Sequence, residues 1–324
     1  MVQKGKCIAV YKNTWEVLVN GNLYKAIINN RYSSKELPVT GDTVVVELDD
    51  CCNTCIILKI GERKTELFRN KDGQKKTIAS NVDVVFITTS MNKEFNIGKL
   101  ERMLIMVNQS GARPFFVLTK SDICLNKEAY IKQLQEHFPN VPYALTSTVN
   151  KEGIDLLKKA WLPGETAVFI GSSGVGKSSL INTFYESRVA KTFETRSRDD
   201  KGRHTTTTTK YFIMSDGRNL IDSPGIRSVG LMNITVEDIN EAFAIIKENE
   251  GKCKFRNCTH TNEAGCKILE LLNNGIIDRD MYNRYLKMQR QILYDNRKYG
   301  IDDRSDWEKK KDLNKMKKKY GKKR

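Results

Sequence analysis

Hydrophobic and polar residues alternate with a period of two in five short runs near the start of the chain, at residues 6–11, 15–19, 23–28, 43–48 and 56–60. Turn residues stand between them, including Asn20-Gly21-Asn22 and Gly41-Asp42. A strand with one face in a core shows this alternation, because successive side chains point to opposite sides. Five such strands with that punctuation predict a small all-β barrel over residues 1–71. An OB-fold is the natural candidate, and periodicity alone does not separate it from an SH3-like barrel.

Beyond residue 72 the pattern changes. Residues 84–88, 114–118, 143–146 and 167–170 are short continuous apolar runs, as expected of strands buried on both faces. Between them Leu100, Met103, Leu104 and Val107 recur at helical spacing, and Ile131 and Leu134 do the same. Strands alternating with amphipathic helices predict a doubly wound α/β domain over residues 72–232, to which 211–214 and 219–221 add two strands. Residues 233–324 read as helical, with one cysteine-rich interruption.

The first chemistry lies in Gly171-Ser172-Ser173-Gly174-Val175-Gly176-Lys177-Ser178, which fits G-x-x-x-x-G-K-[ST]. Strand 167–170 precedes it and a helical run, 178–184, follows. In that context backbone N–H groups and a helix N-terminus cradle phosphates. Lys177 is expected to span the β- and γ-phosphates, and Ser178 to offer its hydroxyl to Mg²⁺. Asp222-Ser223-Pro224-Gly225 follows strand 219–221. The Asp222 carboxylate would hold a Mg²⁺-bound water, and the Gly225 N–H would meet the γ-phosphate.

Thr119-Lys120-Ser121-Asp122 follows strand 114–118 and precedes the phosphate loop. The Asp122 carboxylate can accept from guanine N1–H and the exocyclic amine together. Adenine lacks that donor pair, so GTP is expected over ATP. The Lys120 stem would cover the base. Thr119 stands where the commoner N-K-x-D has an amide tying the base loop to the phosphate loop, and a threonine can make only part of that contact. Thr146-Ser147-Thr148 follows the next strand, where a backbone N–H at Ser147 or Thr148 would meet guanine O6. With base-reading residues ahead of the phosphate loop, the usual order is reversed, and the chain reads as a circularly permuted GTPase.

Arg203-His204-Thr205-Thr206-Thr207-Thr208-Thr209 lies between the phosphate loop and Asp222, where a switch segment belongs. Thr206 or Thr207 would complete the Mg²⁺ shell. Strand propensity of β-branched residues is the alternative reading of the run, and its position between the two motifs favours the switch. Ile226 follows Gly225 where many GTPases keep a water-orienting Gln, so slow intrinsic hydrolysis is expected. His204 is the candidate to orient or deprotonate the water. Its alternative is a switch histidine that binds phosphate or RNA.

Cys253-x₄-Cys258-x-His260-x₅-Cys266 offers three thiolates and an imidazole within fourteen residues. That set suits one tetrahedral Zn²⁺ with no open position, hence a structural ion. Cys51, Cys52 and Cys55 have no second ligand pair nearby and read as free thiols, Cys7 and Cys124 as small apolar residues, and His137 as structural.

The chain has 324 residues, of which 39% are hydrophobic and 29% charged, suiting a soluble globular protein of two or three domains. Its net charge of +16 points to an acidic polymer, nucleic acid above all. Residues 307–324 carry ten Lys/Arg against Glu308 and Asp312, too polar for a core of their own. No run approaches the ~18 apolar residues that span a bilayer. The N-terminus lacks a secretory h-region, so a cytoplasmic protein without membrane contact is expected.

The permuted order, the R-H-T-T-T switch, D-S-P-G and the C-x₄-C-x-H-x₅-C cluster stand together behind a small barrel. In that combination the chain closely resembles, over nearly its whole length, the small-ribosomal-subunit biogenesis GTPase family, RsgA. The resemblance implies an OB-fold barrel, a central permuted G domain and a C-terminal zinc domain. It also implies binding of the 30S subunit and 16S rRNA late in assembly, with GTP hydrolysis to GDP stimulated by that particle. Carried across by residue, the base site falls on Thr119, Lys120, Ser121 and Asp122, the phosphate site on Gly171 through Ser179, and zinc on Cys253, Cys258, His260 and Cys266. A monomer is expected. The rival readings are a large-subunit GTPase, an RNA-binding module that nucleotide merely stabilises, and an ATPase.

Overall fold

Five strands near the N-terminus close on themselves. In the computed structural model, which describes residues 1–49, 52–71, 74–186, 209–222, 238–240, 243–249 and 251–299, they are β1 (Val2–Val10), β2 (Trp15–Val19), β3 (Asn22–Ile28), β4 (Thr43–Asp49) and β5 (Thr54–Ile60). β1 pairs antiparallel with β2, β2 with β3, and β4 with both β5 and β1, while β3 and β5 run parallel. This circuit closes an OB-like five-stranded barrel and decides the choice that periodicity left open. The inward positions of the alternation, Cys7, Trp15, Val17, Val19, Ala26, Val44, Val46, Cys55 and Ile57, form its core.

A hairpin of β6 (Glu66–Lys71) and β7 (Gln74–Ser80) follows. The periodicity reading passed over it, because lysines interrupt the alternation in 74–77. Asp72-Gly73 between the runs is the signal that could have revealed it.

Next come β8 (Val84–Ser90), α1 (Ile97–Ser110), β9 (Arg113–Thr119), α2 (Lys127–His137), β10 (Tyr143–Thr146), α3 (Ile154–Ala160), β11 (Thr166–Ile170), α4 (Lys177–Glu186), β12 (Lys210–Ile213) and β13 (Asn219–Asp222). Their strand order is β10-β9-β8-β11-β13-β12, all parallel except β12. Both faces are covered. Val85, Ile87, Phe116, Leu118, Val168 and Ile170 pack with Leu100, Leu104, Val107 and Leu134 on one side. Phe86, Phe115, Val117 and Phe169 pack with Leu157, Trp161, Leu180 and Phe184 on the other. Alternate side chains of each strand thus enter opposite cores, which is why these strands read as unbroken apolar runs.

The chain enters this sheet at its centre with β8, fills one flank with β9 and β10, then restarts at β11 and fills the other. Its strands therefore converge on a topological switch point between β8 and β11, and ligands of such sheets bind beyond the strands' carboxyl ends there.

Barrel and sheet are continuous. β12 pairs with β1 at Ala9↔Lys210, and the Thr40 hydroxyl donates to the Thr209 carbonyl at 3.2 Å. Beneath this seam lies Asp42, fully buried, which accepts from Arg63 Nε (2.7 Å), Arg63 Nη2 (2.9 Å), Ser80 Oγ (2.6 Å) and the Val39 N–H (2.7 Å). Burial works against the Arg63 charge, but its bonds and charge interaction with Asp42 outweigh that and hold its pKa above the ordinary value. Gly41 has φ +95°, and a Cβ there would come within 2.1 Å of the Ser80 carbonyl oxygen, so only glycine lets the barrel approach the hairpin so closely.

Met1–Gly230 forms one compact unit and Leu231–Arg324 another. In the second, α5 (Ala244–Glu248), α6 (Lys267–Asn273) and α7 (Arg279–Tyr299) pack around Phe243, Ile246, Ile268, Leu271, Tyr282, Tyr285, Met288 and Ile292. The buried α7 positions recur at three- and four-residue steps, one face of a helix. Among the described residues no helix is long and apolar enough to cross a membrane.

Candidate active site

The phosphate loop leaves β11 at Ile170 and enters α4 at Lys177. Gly171 has φ +145°, and a Cβ there would lie 2.1 Å from the Thr88 carbonyl oxygen of β8. Lys177 is buried, and its ammonium donates to the Gly171 carbonyl (2.7 Å) and to that of Ser172. The lysine is thereby folded across the mouth of its own loop. Ser173, Gly174, Ser178 and Ser179 are exposed, while Val175 is buried.

β13 runs parallel to β11 with Val168 opposite Ile221, so Asp222 reaches the sheet edge beside the strand that feeds the loop. Ser178, in the first turn of α4, and Asp222, at the end of β13, both offer oxygen atoms at the carboxyl-terminal edge of the sheet, the donor chemistry that Mg²⁺ takes. His204, Thr206, Thr207 and Gly225 lie outside the described residues, as do Cys51 and 307–324.

Thr119 ends β9 and stands opposite both Ser90 of β8 and Thr146 of β10. Its hydroxyl donates to the Val175 carbonyl of the phosphate loop and lies 3.2 Å from the Thr89 carbonyl. A Cβ on Gly176 would stand 3.6 Å from the Thr119 side chain. The two loops, far apart in the written sequence, therefore touch through Thr119 itself. Lys120 has φ 62° and leads into a 3-10 turn, Ser121–Ile123, which presents Asp122 to solvent and buries Ser121.

The second base-side loop is held from within. The Ser147 hydroxyl accepts from the N–H groups of Val149 (3.1 Å) and Asn150 (3.4 Å), and the Ser147 N–H donates to the Glu152 carbonyl (3.1 Å). The Glu152 carboxylate accepts from Ser121 Oγ at 2.7 Å and lies 3.3 Å from Lys127 Nζ through both oxygens. The Ser121 hydrogen bond, aided by Lys127, holds its pKa below the usual glutamate value.

In the other unit the ligand atoms of Cys253, Cys258, His260 and Cys266 all lie within 4.8 Å of one another. Cys253 Sγ is 3.9 Å from Cys266 Sγ, and His260 Nδ1 is 3.6 Å from Cys253 Sγ and 3.4 Å from Cys266 Sγ. Ligands at ordinary Zn–S and Zn–N lengths around a tetrahedral ion stand about 3.5–3.8 Å apart, so the cluster fits zinc. Burial, and then the crowding of neighbouring thiols, pushes the Cys258 thiol up to about 12, as expected of a cluster whose thiolates need a cation. The surrounding contacts fix the ligands. Tyr282 Oη donates to the His260 carbonyl (2.8 Å), and the Lys267 N–H lies 3.3 Å from Cys253 Sγ. Glu263 accepts from the N–H groups of Thr259, Thr261 and Asn262 and from the Thr259 hydroxyl, and those bonds hold its carboxyl down at about 2.

Cys52 is exposed while Cys55 and Cys7 lie in the barrel core, and all three are free thiols. Burial pushes the Cys55 thiol up to about 11. Cys124 is half-buried. His137 ends α2, with Nδ1 2.8 Å from the Gln133 carbonyl.

The sequence profile described as RsgA GTPase matches residues 60–232, more than half of the chain. The small ribosomal subunit biogenesis GTPase RsgA of Methanosarcina acetivorans is 36% identical over 301 residues, 92% of this chain and 81% of that protein. The chain belongs to the RsgA GTPase family. Two solved structures share the fold at 24% identity. The crystal structure of YjeQ from Thermotoga maritima has a TM-score of 0.70 over 90% of this chain and 99% of that one. The crystal structure of YloQ, a circularly permuted GTPase, has a TM-score of 0.66 over 90% of this chain and 96% of that one. A second profile, described as 50S ribosome-binding GTPase, matches residues 166–323. As a member of the RsgA GTPase family the chain is a GTP hydrolase, and its G domain is circularly permuted. Glu152 and the Asp42–Arg63 pair escaped the sequence reading. Neither belongs to a motif, and only the long-range fold brings their partners together.

Proposed function

We propose that this chain acts in the cytoplasm, as a monomer without membrane contact, on the small ribosomal subunit. It would bind the 30S particle and its 16S rRNA late in maturation, and particle-stimulated GTP hydrolysis would be coupled to its release. Residues 1–71 serve as an RNA-binding barrel, 72–232 as the permuted GTPase and 233–324 as a helical zinc-binding segment with a basic tail. The reading rests above all on the contact of Thr119 with Val175, which puts a guanine-reading loop against a phosphate loop in an RsgA-family chain. The net charge of +16 suits an rRNA partner, gripped largely through its phosphates.

Asp122 pairs with guanine N1–H and the exocyclic amine, and Lys120 covers the base. The Ser147 N–H is engaged by Glu152, so the Thr148 N–H is the donor for guanine O6. The N–H groups of Gly171, Ser172, Ser173, Gly174, Val175, Gly176, Ser178 and Ser179 cradle the phosphates. Lys177 leaves its loop carbonyls to neutralise the β- and γ-oxygens. Ser178 and Asp222, with Thr206 or Thr207, would hold Mg²⁺, Asp222 through water, and the ion would offset phosphate charge. Gly225 senses the γ-phosphate, and His204 positions the attacking water. Intrinsic turnover is slow, because Ile226 cannot perform that task. Cys253, Cys258, His260 and Cys266 hold one structural zinc ion.

Loss of the γ-phosphate relaxes the switch residues on both sides of β12 and β13. β12 is hydrogen-bonded to the barrel, and in sequence the chain after Gly225 leads into the segment that carries the zinc cluster, so nucleotide state would reach both RNA-binding segments through these two connections. The decisive experiment is GTP hydrolysis with and without purified 30S particles, with 50S particles in parallel. Strong activation by 30S alone is expected. No activation, or equal activation by 50S particles, overturns the small-subunit assignment.

A further inference from the structure

We propose that Glu152 is a positioning residue for guanine selectivity, a pin that holds the Asp122 turn and the 146–148 loop in one register. The inference rests on the reading of Asp122 as the base-reading carboxylate.

Asp122 sits on a three-residue 3-10 turn and is exposed. A turn so short has little intrinsic rigidity, yet a carboxylate that must meet two donors on one base edge needs its position fixed to a fraction of an ångström. The adjacent Ser121 provides the anchor. Its side chain points inward, the residue is 1% exposed, and its hydroxyl donates 2.7 Å to Glu152 Oε2. Lys127, in the first turn of α2, adds a cation 3.3 Å from both carboxylate oxygens. Glu152 thereby grips both ends of the segment that carries Asp122.

The same residue closes the other loop. Its carbonyl accepts from the Ser147 N–H at 3.1 Å, and its own N–H donates to Asn150 Oδ1 at 3.0 Å. Backbone and side chain of one glutamate therefore connect the two loops that flank the base. A carboxylate held ionised by Ser121 and Lys127 suits this task, since charged hydrogen bonds are the stronger ones.

The test compares binding of GDP and IDP, which differ only in the exocyclic amine that Asp122 reads. In Glu152→Ala the GDP-over-IDP preference is expected to fall roughly tenfold, the scale of one charge-assisted hydrogen bond, while IDP, which keeps N1–H but has no amine contact to lose, weakens less than GDP. Ser121→Ala should match it, and the double variant should add nothing further. Glu152→Gln, which keeps an acceptor for Ser121, should recover most of the preference. A role in stability alone would weaken GDP and IDP by the same factor; that result, which leaves the preference unchanged in Glu152→Ala, overturns the proposal. Asp122→Asn separates the two levels. If it abolishes the preference while Glu152→Ala does not, the pin alone fails. If Asp122→Asn leaves the preference intact, the base-reading assignment fails and the pin with it.

Discussion

The Thr119 hydroxyl donates its hydrogen to the Val175 carbonyl, and that bond joins the 119–122 loop to the phosphate loop. A carboxamide would bring two donors to this position; threonine brings one, and spends it on the phosphate loop. The Thr89 carbonyl, 3.2 Å away, competes for the same hydrogen. The two loops stand about fifty residues apart in the chain, so no short covalent path registers them, and the bond does part of that work.

Thr119→Val keeps the shape and removes the donor, leaving the buried Val175 carbonyl unpaired. A loss of this kind costs about 1–3 kcal/mol, so GDP should bind roughly 5- to 100-fold more weakly by titration calorimetry. Thr119→Ser should bind like the parent. Unchanged GDP affinity in Thr119→Val would show that the loops are registered by other contacts.

Asp42 offers a second test, of the seam between barrel and G domain. Asp42→Ala leaves the Arg63 guanidinium, 7% exposed at its side chain, without its buried partner. Breaking a buried pair costs about 3–5 kcal/mol. The midpoint of urea unfolding should fall accordingly.

Much of this was legible in the sequence for a physical reason. Strand 143–146 and the bounds of 15–19 emerge as read, because period-two or unbroken apolar runs reflect burial directly. The four candidate zinc ligands are close in sequence, and the fold gathers their ligand atoms within 4.8 Å of one another. Asp42, Arg63 and Ser80 are ordinary polar residues in turn-rich stretches; their pairing depends on how barrel, hairpin and sheet meet, which no local pattern encodes. Glu152 is equally unmarked, one acid among 39 acidic residues, and only the placement of Ser121 and Ser147 beside it gives it a role.

Gly171→Ala tests the phosphate loop without touching a charge. At φ +145° the new methyl would stand 2.1 Å from the Thr88 carbonyl oxygen, so the loop must leave its cradle geometry. Binding of both GDP and GTP should be lost by fluorescence titration with labelled nucleotide. The far-ultraviolet dichroism should persist, because the strain is confined to the junction of β11 and the loop. A variant that still binds nucleotide tightly would mean that the loop tolerates a shift which the close contact with β8 argues against.

Zinc and Glu263 give the last prediction. Elemental analysis of the purified chain should find one zinc per molecule, and a strong chelator should remove it with loss of helical signal from α6 and α7, whose packing depends on the cluster. Glu263 touches no ligand atom, but its carboxylate organises the turn between Cys258 and His260 and the one after it by accepting four hydrogen bonds. Glu263→Ala should weaken zinc binding roughly 10- to 100-fold, the usual effect of losing an outer support. The pH dependence has a definite sign. A carboxyl depressed to about 2 contributes fully above its unfolded value near 4.5, loses that contribution progressively below it, and has lost it once pH has fallen through about 2. Zinc should therefore leave the native chain, as its thiolates and imidazole protonate, at a higher pH than the one at which the Glu263 turn opens. Release followed by a zinc indicator and turn opening followed by amide exchange should give two separate acid transitions; a single shared transition would tie the turn's integrity to the metal instead.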